Sequence, residues 1–538
     1  MASPLLDVSD YPTAVRTFEW KALWGLVEGT ADRLNLAHEC VDRHPPEAMA
    51  LRIQKTDGGR DTYTFGALAE WSSRFAHWLE GEGVGRGERV AVMLEPSLAF
   101  YGALFGAVRR GAIAVPLFTL FGPEGLALRI ADCAPKILLV HRDVERWQAQ
   151  FPALHVVAAD EALEGALGRL SAAYVPATTA DDLAVFQYTS GTTRALPEAV
   201  KHTHRSVVTL MIAALYGIGL RPGDRYFCPS SPAWGHGLWH GTIAPLALGI
   251  AVGSYAGRFD PKRIFEALTA FEITNMAAAP TVYRMLRASG LAGRYGFRPA
   301  KLSFTGEPMD AATWRFIEET FGVTPCSMYG STEVGVIIVS YPGFTGYEVR
   351  PGALGKAAPG WEVGIVDAQG QPLPPNSMGE IAVRRRGQWF LVKDRGHMDA
   401  DGYFFHAGRS DDVIISAGWT MSAVEIEAVL MGHPDVREAA VIAVADELRG
   451  QVAKAFVVVA RPGGAELVTE LQTWVRGRLS QHEYPRAIEI VDELPKTPAG
   501  KINRQALRER GGGAVLGRPL TLPSPPVGER DSEGVGQA

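Results

Sequence analysis

The chain has 538 residues, 47% of them hydrophobic, which is enough to bury a large core and to form more than one domain. Its 53 basic and 59 acidic residues leave a net charge of −6, so no single-signed field points to nucleic acid or an anionic membrane surface as a partner. The four cysteines, Cys40, Cys133, Cys228 and Cys326, form no C-x-x-C pair, which argues against a zinc site and a disulfide framework and fits a reducing, cytoplasmic location.

The N-terminal stretch MASPLLDVSDYPTAVRTFEW carries acidic residues and no apolar h-region, so it does not read as a signal peptide. From about Thr62 to Val140, helical segments alternate with short apolar runs: FGALAEWSSRFAHWLEGEG, RVAVML, LAFYGALFGAVRRG, AIAVPL and KILLV. That alternation predicts βαβ units and an α/β fold of mainly parallel sheets flanked by helices. Similar alternation is expected to about residue 400, through DRYFCPS, ITNMAAAP, KLSFTGEP and TPCSMYG. Residues 226–257 contain no Asp, Glu, Lys or Arg, but Pro229, Pro232, Pro245 and several glycines interrupt them. A buried strand and helix beside a pocket fit that stretch better than a membrane span.

After Gly408 a polar GRSDD segment precedes a unit of about 100 residues, with apolar runs EAAVIAVAD and VAKAFVVVA and an amphipathic segment ELVTELQTWVRGRL. The expected organisation is a large N-terminal domain over 1–407, a hinge at 408–412 and a small mobile α+β domain over 413–510. The Gly- and Pro-rich tail 511–538 lacks periodicity and is expected to be disordered and dispensable.

Tyr188 is followed by Thr189, Ser190, Gly191, Thr192 and Thr193 at the end of a predicted strand. Small hydroxyl residues around a glycine let backbone N–H groups and hydroxyls converge on phosphate oxygens, although the same residues build ordinary turns. In chain order there follow Thr305-Gly306-Glu307-Pro308, Tyr329-Gly330-Ser331-Thr332-Glu333, Asp394 with DGYFFHAGRSDDVIISAG, and Pro495-Lys496-Thr497-Pro498-Ala499-Gly500-Lys501. This ordered set, spanning roughly residues 30 to 510, resembles the core motifs of the adenylate-forming (AMP-binding) superfamily, and within it the short- and medium-chain acyl-CoA synthetases.

The resemblance implies an AMP-forming acyl-CoA synthetase with ATP and coenzyme A as co-substrates and Mg²⁺ as metal, acting on small molecules without nucleic acid or a membrane span, as a monomer or homodimer. By resemblance, Thr189 to Thr193 hold the β- and γ-phosphates, Thr332 touches the α-phosphate and Glu333 binds Mg²⁺. Gly306, Glu307, Pro308, Tyr329, Gly330 and Ser331 belong to the nucleotide site, with Tyr329 against adenine. Asp394 takes the ribose hydroxyls, with Arg409 close by. Lys501 bridges the carboxylate and α-phosphate as charge develops. Asp411 sits at the hinge, and Ser416, Ala417, Gly418 and Trp419 line the tunnel for the pantetheine arm once the small domain has rotated.

Two departures stand out. Where the family reads T-S-G-T-T-G-x-P-K, this chain has TSGTTRALPEAV, so Arg194 replaces a glycine and Glu198 the lysine. Glu198 is expected to point away from the phosphates, with Arg194 or Lys201 supplying charge. The alternatives are an adenylation enzyme that loads a carrier protein and a catalytically weak nucleotide-binding homologue. For the acid, Trp234, Gly235, His236 and Gly330 are the pocket candidates, and Trp239 is equally a core residue. Gly330 stands where acetyl-CoA synthetases carry a pocket-capping tryptophan, which implies an acid larger than acetate: medium-chain, branched, alicyclic or aromatic.

Overall fold

The computed structural model describes residues 4–188, 198–307, 309, 311–331, 334–367, 369–409, 413–495, 502 and 504–510. The runs RVAVML, AIAVPL and KILLV form the strands Arg89–Met93, Ile113–Pro116 and Ile137–Val140 of a six-stranded sheet. They pair parallel with each other and with His155–Ala158 and Leu183–Tyr188, and Ala199–Thr203 closes one edge antiparallel. Near-continuous burial of these short runs is what strands covered on both faces require.

The helices between them follow from local chemistry. Thr64 and Ser97 cap Phe65–Gly81 and Leu98–Arg110 by accepting the N–H groups of Ala67 and Phe100. Leu98–Arg110 is buried from Phe100 to Arg109. A shared apolar cluster runs from Leu51 and Ile53 through Leu104 and Val108 of this helix to Val90 and Val92, joining the six-stranded sheet to a larger one.

The larger sheet has thirteen strands. Its centre, from Met49–Lys55 through Val252–Ala256, Tyr226–Phe227, Asn275–Ala278 and Lys301–Phe304 to Cys326–Ser331, is parallel. The expected alternation ends there. From Gly335–Val339 to Phe404–Arg409 every described strand pairs antiparallel, with no helix between. The cause is visible in the chain: Pro342-Gly343, Pro351-Gly352 and Pro359-Gly360 impose turns, and no amphipathic stretch of helical length intervenes. The charge-free stretch 226–257 forms a buried strand, a helical segment His236–Ala247 and the strand Val252–Ala256. No described helix is long and apolar enough to cross a membrane.

The C-terminal part is the expected α+β unit. A hairpin pairs Val413–Ser416 with Trp419–Ser422, and a three-stranded sheet joins Val436–Asp446, Gly450–Val459 and Ala487–Ile490. Ala417 and Gly418, at φ 55° and 76°, make the two-residue turn, the geometry that matches strand twist. Alternate residues of Val436–Asp446 serve two clusters: Ala439 and Val441 face the hairpin residues Ile414 and Met421, while Ala440 and Ile442 face Leu507 and Ile502.

Candidate active site

A cavity of about 800 Å³ opens where the two large sheets and the C-terminal unit meet. Of the residues singled out from sequence, Gly306, Glu307, Tyr329, Gly330, Ser331, Asp394, Trp234, Gly235, His236 and Trp419 line it. Residues that lie as far apart in the chain as Trp234 and Trp419 thus share one cavity. Thr189 to Thr193, Pro308, Thr332, Glu333, Asp411 and Lys501 lie outside the described residues.

Tyr329 donates its hydroxyl to Asp394 Oδ2 at 2.6 Å, and His406 Nε2 lies 3.5 Å from Oδ1 of the same, largely buried carboxylate. Asp394 reaches this position because its strand pairs antiparallel with Phe404–Arg409, which sets Arg409 opposite it in the ladder. Glu307 lines the cavity, but its carboxylate is engaged by its neighbours. Its carboxylate is turned inward, accepting from Thr281 N at 2.8 Å, Thr281 Oγ1 at 2.5 Å and Arg284 Nη2 at 2.7 Å. Burial raises its pKa while Arg284 pulls it down. Arg284 in turn donates from Nε to the carbonyl of Leu448 at 2.8 Å, so this ion pair ties the cavity wall to the C-terminal unit.

Gly330 also reads differently. A Cβ there would lie 1.9 Å from the carbonyl oxygen of Gly335 and 2.8 Å from Val336 Cα. The missing side chain is demanded by the close pairing of Cys326–Ser331 with Gly335–Val339, so this glycine is not evidence of a deeper acyl pocket. Glu198, expected to point away, is exposed on the cavity wall. Lys201, expected to supply charge, lies over the Phe186 ring at 5.5 Å instead, and Arg194 is outside the described residues. Among the described residues, the cations that line the cavity are Arg129, Arg385 and Lys393. Lys393, beside Asp394, holds the left-handed φ of 63°, a conformation unfavourable for a side-chain-bearing residue.

The hairpin closes one side. Trp419 stacks on Trp234 with ring centroids 6.1 Å apart, and touches Phe118 at 4.5 Å and His482 at 4.0 Å. Burial pushes His482 down to about 3, so it is neutral near pH 7. Ser416, Ala417 and Gly418 are not in the cavity lining; Gly418 packs against the large sheets instead, where a Cβ would lie 2.7 Å from that of Ala279. Sequence reasoning missed Gln187, His202 and Phe118 in the lining. Gln187 had a signal, being the polar residue in the apolar strand LAVFQY. Trp239 proves to be both core and cavity: it is buried, and its indole N–H donates to Gln187 Oε1 at 2.7 Å.

With these motifs gathered on one cavity, the chain belongs to the AMP-binding enzyme family, whose description matches residues 37–389, and the AMP-binding enzyme C-terminal domain matches residues 425–501. It is similar to the acetyl-coenzyme A synthetase of Bacillus subtilis (strain 168), 31% identical over 93% of this chain and 95% of that one. The 3-hydroxybenzoate–CoA ligase of Aromatoleum sp. (strain CIB) is 31% identical over 88% of this chain and 97% of its own. Among solved structures, an acyl-CoA synthetase of Brucella canis superposes with a TM-score of 0.71 at 30% identity, over 94% of this chain and 99% of that one. In enzyme class the chain is an AMP-forming carboxylic acid–CoA ligase that uses ATP and coenzyme A.

Proposed function

We propose that this enzyme activates a carboxylic acid larger than acetate, of medium-chain, branched, alicyclic or aromatic type, and acts on free small molecules in the cytoplasm. The observation that carries the proposal is the cavity itself. Its roughly 800 Å³ joins the Tyr329–Asp394 pair to an apolar wall that includes Leu210, Ala213, Met328, Val336 and Trp239. The kinship to a 3-hydroxybenzoate–CoA ligase fits an acid of ring size.

In the first half-reaction the carboxylate oxygen attacks the α-phosphorus of ATP and pyrophosphate leaves, giving an acyl adenylate. Asp394, oriented by the Tyr329 hydroxyl, accepts the ribose hydroxyls. Thr189 to Thr193 hold the departing phosphates, Thr332 and Lys501 hold oxygens of the α-phosphate, and Arg385 and Lys393 add positive charge to the wall. Mg²⁺ neutralises phosphate charge when bound, with Glu333 as its protein ligand.

In the second half-reaction the CoA thiol attacks the acyl carbonyl, AMP leaves and a thioester forms. The Ser416–Trp419 hairpin against Trp234 and Ala279 supports reading the observed arrangement of the C-terminal unit as the one that serves this step. Asp411 is the proposed pivot, within a hinge at 408–412 between units 1–407 and 413–510.

A screen of carboxylic acids for pyrophosphate release, followed by thioester detection with and without CoA, tests the reading. The expected result is release with acids of six or more carbons exceeding that with acetate, and thioester only with CoA. Preference for acetate would overturn the acid class, and AMP release that ignores CoA would overturn the acceptor.

A further inference from the structure

We infer that the acid carries a hydroxyl group on its otherwise apolar body, and that Gln187 and His202 read this group from the cavity wall; the inference rests on the acyl-CoA ligase reading above. Gln187 is only 1% exposed, yet it lines the cavity. An indole N–H can only donate, so the 2.7 Å contact from Trp239 Nε1 fixes which end of the Gln187 amide is oxygen. The amide nitrogen therefore faces the other way, beside Gly235, where a Cβ would stand 2.5 Å from it. Among the described residues Gln187 Nε2 has no acceptor.

His202 stands next to it for a topological reason. In the antiparallel ladder Val185 pairs with His202 and Gln187 with Val200, so the two side chains emerge on one face as diagonal neighbours. The His202 ring lies 4.5 Å from that of Trp239, and its Nε2 also lacks a partner among the described residues. Burial holds His202 down to about 4, so near pH 7 it is neutral and offers one donor and one acceptor.

Among the described residues, Gln187 Nε2 and His202 Nε2 are buried without a partner beside one indole, and an apolar ligand would leave both unsatisfied. A substrate hydroxyl carries what both lack: an oxygen to accept from Gln187 Nε2, and an O–H to donate to His202 Nε2 when that ring is protonated at Nδ1. A second carboxylate on the acid would call for a cation at this position, and the pair is neutral. The neighbouring wall, with Leu210, Ala213, Met328 and Val336, is apolar, which suits a ring or chain with a single hydroxyl.

The test compares matched pairs, benzoate with its three hydroxy isomers and cyclohexanecarboxylate with its hydroxy derivatives, by kcat/KM for thioester formation in the full-length enzyme, in Gln187→Leu and in His202→Phe. The expected wild-type preference for one hydroxy isomer over its parent acid is about tenfold to a hundredfold, the range that leaving one neutral buried group unpaired supports. In Gln187→Leu, and more weakly in His202→Phe, that ratio should collapse toward unity. Wild-type enzyme that favours the parent acids overturns the inference while leaving the ligase reading intact. So does a Gln187→Leu enzyme that loses activity on parent and hydroxy acids by the same factor, which would place Gln187 on the reacting carboxylate. If Gln187→Leu does not fold, the wild-type ratio and His202→Phe decide. Absence of pyrophosphate release with every acid overturns both readings.

Discussion

Replacing Arg129 with methionine should slow thioester formation and spare adenylation. Arg129 belongs to the large N-terminal part, on the helix Pro123–Cys133, while Glu425 and Glu483 belong to the C-terminal unit. Its guanidinium lies 3.8 Å from Glu425, with both side chains nearly fully buried, and over the Phe121 ring at 4.1 Å. At an effective dielectric constant near 20, that separation corresponds to an attraction of about 4 kcal/mol. Protonation limits the loss when the cation is removed. Burial, and then the charge of Glu483, raise Glu425 from 4.5 to about 7, so it already carries a proton part of the time at neutral pH. Glu425 is already partly protonated beside Arg129, so its own share of the loss is small, and most of the loss falls on Glu483, which Arg129 also pulls down against burial. Docking weakened by about 1–2 kcal/mol should lower the rate of thioester formation from pre-made acyl-AMP roughly fivefold to thirtyfold. Rapid-quench measurement of each half-reaction separately is the assay. Glu425→Gln, a neutral mimic of the protonated acid, should leave docking near normal. Because the docked form binds a proton that the separated form releases, docking strengthens below pH 7 and is lost as the pH rises through about 7; Glu425→Gln should flatten that slope. Equal losses in both half-reactions of Arg129→Met would refute the reasoning and reduce Arg129 to a packing residue of the large part.

Lys501→Ala should abolish pyrophosphate release and largely spare thioester formation from pre-made acyl-AMP; equal loss in both would contradict a lysine that serves only the first step. Gly330→Ala should lower the melting temperature and raise the KM for ATP, since even one methyl group meets the Gly335 carbonyl at 1.9 Å, and overpacking of this kind costs roughly 1–3 kcal/mol. A normally stable Gly330→Ala with altered acid preference would restore the pocket role inferred from sequence. Glu198→Lys should lower the KM for ATP by roughly threefold to tenfold, because the carboxylate stands on the cavity wall and each charge of a solvated pair contributes up to about 1 kcal/mol; an unchanged KM would mean that Glu198 does not face the phosphates.

The motifs were legible because each is local and their order along the chain is itself information. The parallel core and the α+β unit were legible because strands and helices of those lengths alternate visibly. What stayed hidden depends on pairing between distant segments. Nothing near Gly330 announces that Gly335 passes so close, since that contact exists only once two strands are in register. Arg129, Glu425 and Glu483 are residue types that normally stay at the surface, so composition argues against the buried cluster they form between two parts of the chain. Glu307 sits in a motif that pointed to the nucleotide, yet its carboxylate is taken up by Thr281 and Arg284, which precede it by more than twenty residues. Gln187 and His202 matter together only because the ladder between them sets both on one face.

The C-terminal sheet offers a physical route by which one cavity could serve the two half-reactions proposed above. Successive residues of a strand face opposite sides, so Val436–Asp446 necessarily has two working faces. The hairpin that carries Trp419 is packed on one through Ile414 and Met421. Ile502, the described neighbour of Lys501 in the chain, is packed on the other with Phe456, Leu494 and Leu507. Both faces are built from buried apolar contacts, so neither segment can cross to the other side without unfolding the unit. A rigid rotation is then the low-cost way to exchange them at the cavity, and it presents one at a time. If Lys501 assists adenylation and Trp419 borders the thiol route, as proposed, such a rotation would bring them to the cavity in turn. On that proposal, the observed pairing of Trp419 with Trp234 belongs to the second step and a different docking of the same sheet would serve the first.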